Sequence, residues 1–232
     1  MKKNIGYLTV LLSAVAGYCD TVTFTVADNI FSAHVTGNFI VFAYQIMNSD
    51  NLNAQLRLLT LPIFMLSILT AGWIAKNSGN RRHELIYWEG LILTLTGVFA
   101  YMLKIVNMLS GQLTFILAMF FVIAMGFQNA FGKIYSSETF GPTTVMTGNV
   151  TQLSLELGYN YKHFFNNYKL SVRFIEQLIT VTGFLIGCFM GAITGKYFNL
   201  GAAILPGIVL MFYYFNNLNK KNKETIPQEN KK

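Results

Sequence analysis

Long apolar runs separated by short polar stretches organise this chain. They cover residues 7–27, 58–75, 85–103, 113–131, 174–195 and 200–215. Most approach or exceed the ~20 residues a helix needs to cross a ~30 Å hydrocarbon layer. The last is short, but Lys196 can snorkel from one end. Six membrane-crossing helices are predicted. Between them lie two shorter segments, 31–47 (FSAHVTGNFIVFAYQIM) and 143–158 (TTVMTGNVTQLSLELG). Both begin with small and hydroxylated residues and end apolar. At about 16 residues they are short for a crossing, so each is expected to be a re-entrant segment or half-helix.

The start, Met1-Lys2-Lys3 followed by apolar residues and Ala14-Val15-Ala16, imitates a secretory signal with a small-residue cleavage site. The run continues to about residue 27, however, and a motif inside it recurs in the second half. It is therefore read as the first span, uncleaved.

That recurrence extends further. Gly17-Tyr18-Cys19-Asp20 precedes Thr36-Gly37-Asn38, and Gly126-Phe127-Gln128-Asn129 precedes Thr147-Gly148-Asn149. Phe64 to Lys76 also matches Phe184 to Lys196 without a gap, pairing Phe64 with Phe184 and Ser67 with Gly187. A duplicated apolar unit with polar residues in its middle is one way to build a transporter. The expected fold is an all-α membrane protein of six transmembrane helices in two three-helix repeats, each with a short Thr-Gly-Asn segment. Residues 1–107 form the first repeat, 108–215 the second, and 216–232 a disordered cytoplasmic tail. Three crossings per repeat make the repeats inverted, so that the two Thr-Gly-Asn segments enter from opposite sides and can meet near the midplane.

Composition supports the membrane reading. Charged residues are 12% of the chain and hydrophobic ones 53%, against roughly a quarter charged in soluble proteins. The net charge of +7 does not indicate nucleic acid, because the basic residues sit at the ends of apolar runs. Under six spans with the N-terminus inside, fourteen of the 17 Lys and Arg residues lie inside, and Arg57, Lys104 and Lys196 outside. Counting the short segments as crossings gives 12 inside against 5, a weaker bias. Cys19 and Cys188 lie in apolar runs without a CxxC partner, so they read as buried thiols.

The candidate chemistry is intramembrane polarity. Asp20 lies within the first span, where a charge costs several kcal/mol unless it faces protein or water. It could bind a cation, accept a coupling proton or hydrogen-bond a solute, or it could tie two helices together as a protonated acid. Its counterpart is the neutral Asn129. Thr36-Gly37-Asn38 and Thr147-Gly148-Asn149 suit helix starts inside the membrane, whose free N–H groups favour an anion or carbonyl oxygen; each could equally be a simple cap. His34 could relay a proton or bond a neighbouring carbonyl, and Gln128 adds a polar group beside Asn129. Gly183, Gly187, Gly191 and Gly195, four residues apart, form a helix face for close packing. No metal-ligand spacing, cofactor motif or catalytic signature is present.

AGYCDTVTF, FSAHVTGNF, GFQNAF and TTVMTGNVTQL resemble the YoaK family of bacterial integral membrane proteins over roughly residues 5–215. The resemblance implies a bacterial cytoplasmic membrane location and supplies neither substrate nor mechanism. The motifs carry onto Gly17, Asp20, His34, Thr36, Gly37 and Asn38, and onto Gln128, Asn129, Thr144, Met146, Thr147, Gly148 and Asn149. This chain has Gly132-Lys133 where relatives often place an arginine.

The leading expectation is a non-enzymatic small-solute permease, without a cofactor or metal, whose halves rock about a midplane site. Its partners would be the lipid bilayer, a small-molecule or ion substrate and a second copy of the chain in a homo-oligomer, with no role for nucleic acid. Both termini would be cytoplasmic. A narrow channel stands close to this reading, and the alternative is an accessory or scaffold protein binding a partner through its glycine face.

Overall fold

The structure is a computed structural model that describes residues 2–48, 52–79, 81–167 and 171–225. Among the described residues it is helical without strands. The helices are α1 (Lys2–Val26), α2 (Gly37–Asn48), α3 (Thr60–Asn77), α4 (Glu84–Ile105), α5 (Gly111–Ile134), α6 (Met146–Asn167), α7 (Val172–Phe198) and α8 (Ile204–Thr225). Short 3-10 turns occupy Leu52–Leu59, Ser136–Glu138 and Asn199–Ala203.

Five stretches are long and apolar enough to cross a membrane: Asn4–Val26, Gln55–Asn77, Glu84–Ile105, Gly111–Ile134 and Val172–Asn219. The last contains both α7 and α8, broken at Asn199, where φ is 59°. Large apolar side chains cover the outer faces. Met65, Leu66, Leu69 and Trp73 form one exposed stripe on α3, and Leu185, Ile186, Phe189 and Ile193 another on α7. In water such faces would be a large unsatisfied apolar surface; lipid solvates them. The protein is membrane-embedded.

Packing joins the two halves crosswise. The glycine stripe of α7 lies on α1 in regular register: Gly183 meets Val10, Gly187 meets Ala14, Gly191 meets Tyr18, and Gly195 meets Val22 and Thr25. A β-carbon at Gly191 would stand 2.5 Å from the Tyr18 carbonyl oxygen, so glycine is what allows the two backbones to touch. The fourfold step on both helices makes α1 and α7 parallel. In the equivalent pair, Gly126 of α5 faces Ser67 and Phe64 of α3, and Ser67 Oγ donates to Ile123 O at 2.7 Å. Helix α8 runs against α4, with Gly207 opposite Gly90 and Ile204 opposite Gly97.

The two ends of the bundle are defined by contacts. At one end, Arg82 bonds Glu138 at 3.0 Å, Phe140 N donates to Thr9 Oγ1 at 3.0 Å, and Tyr7 stacks on Tyr213. At the other, Lys104 donates to Tyr197 O and Arg57 pairs with Asp28 at 2.8 Å. Helices α1, α4 and α7 therefore run from the first end to the second, and α3, α5 and α8 run back.

Segment 29–56 leaves and returns at the same end, because Arg57 is bonded to Asp28. Segment 141–176 does likewise at the opposite end, where Gln177 Nε2 donates to Phe140 O at 3.3 Å. Two expectations need correction. Helix α6 has 22 residues, longer than the segment 143–158. Helix α8 continues through Thr225, so the expected disordered tail is helical over 216–225. Nothing there breaks a helix before Pro227, and Asn217 Nδ2 bonds back to Tyr213 O at 3.0 Å. Residues 226–232 of that tail lie outside the described residues.

Candidate functional site

Helix α1 ends at Val26, and the chain reverses through Asp28 and Asn29, at φ 52° and 60°. It then folds back along α1 until residues 32–34 meet Asp20, six residues or about 9 Å inside the helix end. There the Asp20 carboxyl receives a set of converging donors. Oδ1 accepts from Ala33 N at 2.5 Å, Ser32 Oγ at 3.3 Å and His34 N at 3.4 Å. Oδ2 meets His34 Nδ1 at 2.5 Å. Asp20 is buried, while the His34 side chain is 34% exposed, so the imidazole links an enclosed carboxyl to the surroundings. His34 stands edge-on to Phe184 of α7. Its hydrogen bond to Asp20 pushes the imidazole pKa above the usual histidine value, against the opposing effect of burial.

A second polar cluster, built of neutral groups, follows α5. After α5 the chain folds back, and Thr144 Oγ1 donates to Asn129 Oδ1 at 2.8 Å. Gln128 Nε2 donates to Thr143 Oγ1 and to Leu12 O of α1, both at 2.8 Å. The Asp20 and Gln128 clusters thus share α1. Asp20 and Leu12 are eight residues apart, about 12 Å along the axis.

The Thr-Gly-Asn motifs hold these turns in shape. Asn38 is fully buried. Its Oδ1 accepts from Phe31 N at 2.8 Å, and its Nδ2 donates to Phe31 O at 2.9 Å and Thr60 Oγ1 at 3.1 Å. Asn149 Nδ2 donates to Pro142 O at 2.7 Å, the same seven-residue reach. The N–H groups of Gly37, Asn38 and Phe39 already bond the carbonyls of His34, Val35 and Thr36, so the start of α2 has no free donors there. Gly37 packs under the Phe31 ring, with 3.0 Å left for a β-carbon. Thr36, Thr147 and Gly148 are exposed, and open space surrounds Gly148. Helices α2 and α6 do not pack on each other. The expectation that both motifs meet at one midplane site is therefore corrected: the chain builds two polar clusters at different levels of α1.

Three buried or paired groups escaped the sequence reading. Arg57 is 2% exposed; its Nη2 donates to Asp28 O and Oδ2, and its Nε to Gln45 Oε1 at 3.1 Å. Glu156, seven residues after Asn149 as Gln45 is after Asn38, accepts from Ser171 Oγ at 2.8 Å. Glu89 of α4 is wholly buried. For two of the three the sequence carries a signal: Glu89 interrupts the run 85–103, and Arg57 directly precedes 58–75. A cavity of about 560 Å³ lies beside Asp28 and Arg57, with Gln112, Thr114 and Phe115 of α5 on its wall. Among the described residues, no three His, Cys, Asp or Glu side chains gather as a metal site would need.

A family model described as "Protein of unknown function (DUF1275)" matches residues 8–215, and the chain belongs to that family. No curated protein and no solved structure matches it.

Proposed function

We propose that this DUF1275 family member is a small-solute permease of the bacterial cytoplasmic membrane. It crosses six times as two inverted halves, with both termini in the cytoplasm. The observation that carries the reading is the crosswise pairing. The contact of α1 with α7 at Gly17 and Phe184 recurs between α5 and α3 at Gly126 and Phe64, while the two pairs run in opposite directions. Such halves can exchange two related packings across the membrane, which is the basis of alternating access. The positive-inside bias supports the orientation.

Along this path the Asp20–His34 pair lies toward the outer end of α1, and Gln128 and Asn129 lie toward the inner end of α5. The solute would pass between hydrogen-bonding groups at two levels, with Asp20 the one carboxyl among them. The cavity beside Arg57 lies at the outer end of the same helix. The alternative of a scaffold bound through the glycine face has less support, because α1 occupies that face. The test is a thermal-shift screen of metals, nucleobases, amino acids and organic acids on purified protein, followed by flux in proteoliposomes. Stabilisation by one class together with its flux is expected. A flat screen with stable co-purification of one protein partner would overturn the permease in favour of the scaffold.

A further inference from the structure

Glu89 is enclosed on every side, at 0% exposure. Neither of its carboxyl oxygens has a hydrogen-bond partner. It lies five residues inside α4, about 7.5 Å from the helix start, next to the tight Gly90–Gly207 crossing with α8. An ionised carboxylate left without donor or counter-charge costs several kcal/mol to bury. Among the described residues, no donor or counter-charge compensates a carboxylate there.

The groups around it do not change that. From α1, the buried Cys19 thiol lies near it and brings no cation. From α8, Tyr213 and Tyr214 face Glu138, Tyr7, Glu84, Arg81 and Tyr87 instead. Lys76 of α3 and Lys133 of α5 sit in the last turns of their helices, and no described ion pair joins either to Glu89. The turn Asn199–Ala203 brings no titratable group. Gln128 Oε1, a buried acceptor without a donor, lies six residues from the same end of α5. As a packing element the carboxyl contributes nothing that an apolar side chain would not.

We propose that Glu89 carries the proton of the transport cycle. It keeps the proton while α4, α5 and α8 are closed around it, and gives it up when they part. The carboxyl O–H bond then breaks and the proton passes to water at the inner end, where Glu84, Glu138 and His83 cluster. This deepens the permease reading, rests on it, and makes the coupling ion a proton.

The experiment is infrared absorption of the purified full-length protein, titrated reversibly between acid and alkaline buffer. Wild type should show a carboxylic-acid carbonyl band that is lost on alkalinisation and returns on acidification. That band should be missing from Glu89→Gln and kept in Asp20→Asn. If Glu89→Gln does not fold, Glu89→Asp should keep a titrating band at a shifted frequency. The same titrating band in Glu89→Gln, or a Glu89 band indifferent to pH, overturns the proposal. Solute flux without a titrating Glu89 removes this proposal alone. A titrating Glu89 without flux of any solute removes the permease reading instead.

Discussion

Gly17 of α1 lies so close to the carbonyl of Phe184 in α7 that no β-carbon fits between them. Gly126 of α5 is likewise pressed against Ser67 of α3. These glycines set the distance between the two halves, and because their neighbour is backbone or a tightly bonded side chain, neither contact can yield cheaply.

Gly17→Ala should therefore destabilise the protein by about 1–3 kcal/mol, the usual cost of overpacking. Gly148→Ala should be neutral or slightly stabilising, since open space surrounds it and alanine favours a helix by up to about 1 kcal/mol over glycine. Melting curves in detergent check both.

Asn38→Ala removes three hydrogen bonds and leaves the Phe31 N–H and C=O without their partner. A loss of about 1–3 kcal/mol per stranded group is expected. Thr36→Ala, at an exposed neighbour in the same motif, should stay within about 0.5 kcal/mol. A motif that acted mainly by binding solute would give the reverse pattern, with flux more sensitive than melting at both positions.

His34 binds its proton more tightly in the folded protein than in the unfolded chain, because Asp20 accepts from it. A raised folded value means that the pair's contribution to stability is fully present below the ordinary histidine value of about 6.5. It then fades as pH rises through the higher folded value. The difference in melting temperature between wild type and His34→Gln should be largest in acid and shrink on the alkaline side. A difference that does not vary with pH would show that the pair acts by shape alone.

Arg57 reaches Gln45 and Asp28 with separate nitrogens of one planar group. Lysine keeps the charge but cannot hold both partners in that geometry. Arg57→Lys should behave nearly as badly as Arg57→Gln, each losing about 1.5–3 kcal/mol from hydrogen bonds to charged groups. Thermal denaturation of the two variants checks this.

The helices were legible because hydrophobic runs report span length directly: 58–75 became Thr60–Asn77, and 174–195 became Val172–Phe198. Gly17 and Gly126, which open similar motifs in the sequence, are both places where a β-carbon would clash, with the Phe184 carbonyl and with Ser67 Oγ. The partners of Asp20 were not. They come from a turn that folds back by three-dimensional packing, and periodicity says nothing about which loop returns to which helix. The Thr-Gly-Asn motifs misled for a related reason. A short sequence match cannot tell an asparagine that binds solute from one that ties down its own turn. Glu89 was hidden by the averaging that makes a span visible, because one charge barely changes the hydropathy of nineteen residues.

The opposed direction of the two halves is tested most directly by single-cysteine accessibility in a background lacking Cys19 and Cys188. Asn77, exposed beside the α3–α4 turn, and Met108, exposed in the α4–α5 turn, are the positions to replace. In intact cells Met108→Cys should react with an impermeant thiol reagent, and Asn77→Cys only after permeabilisation. Labelling of Asn77→Cys from outside would contradict three crossings per half and with them the inverted arrangement.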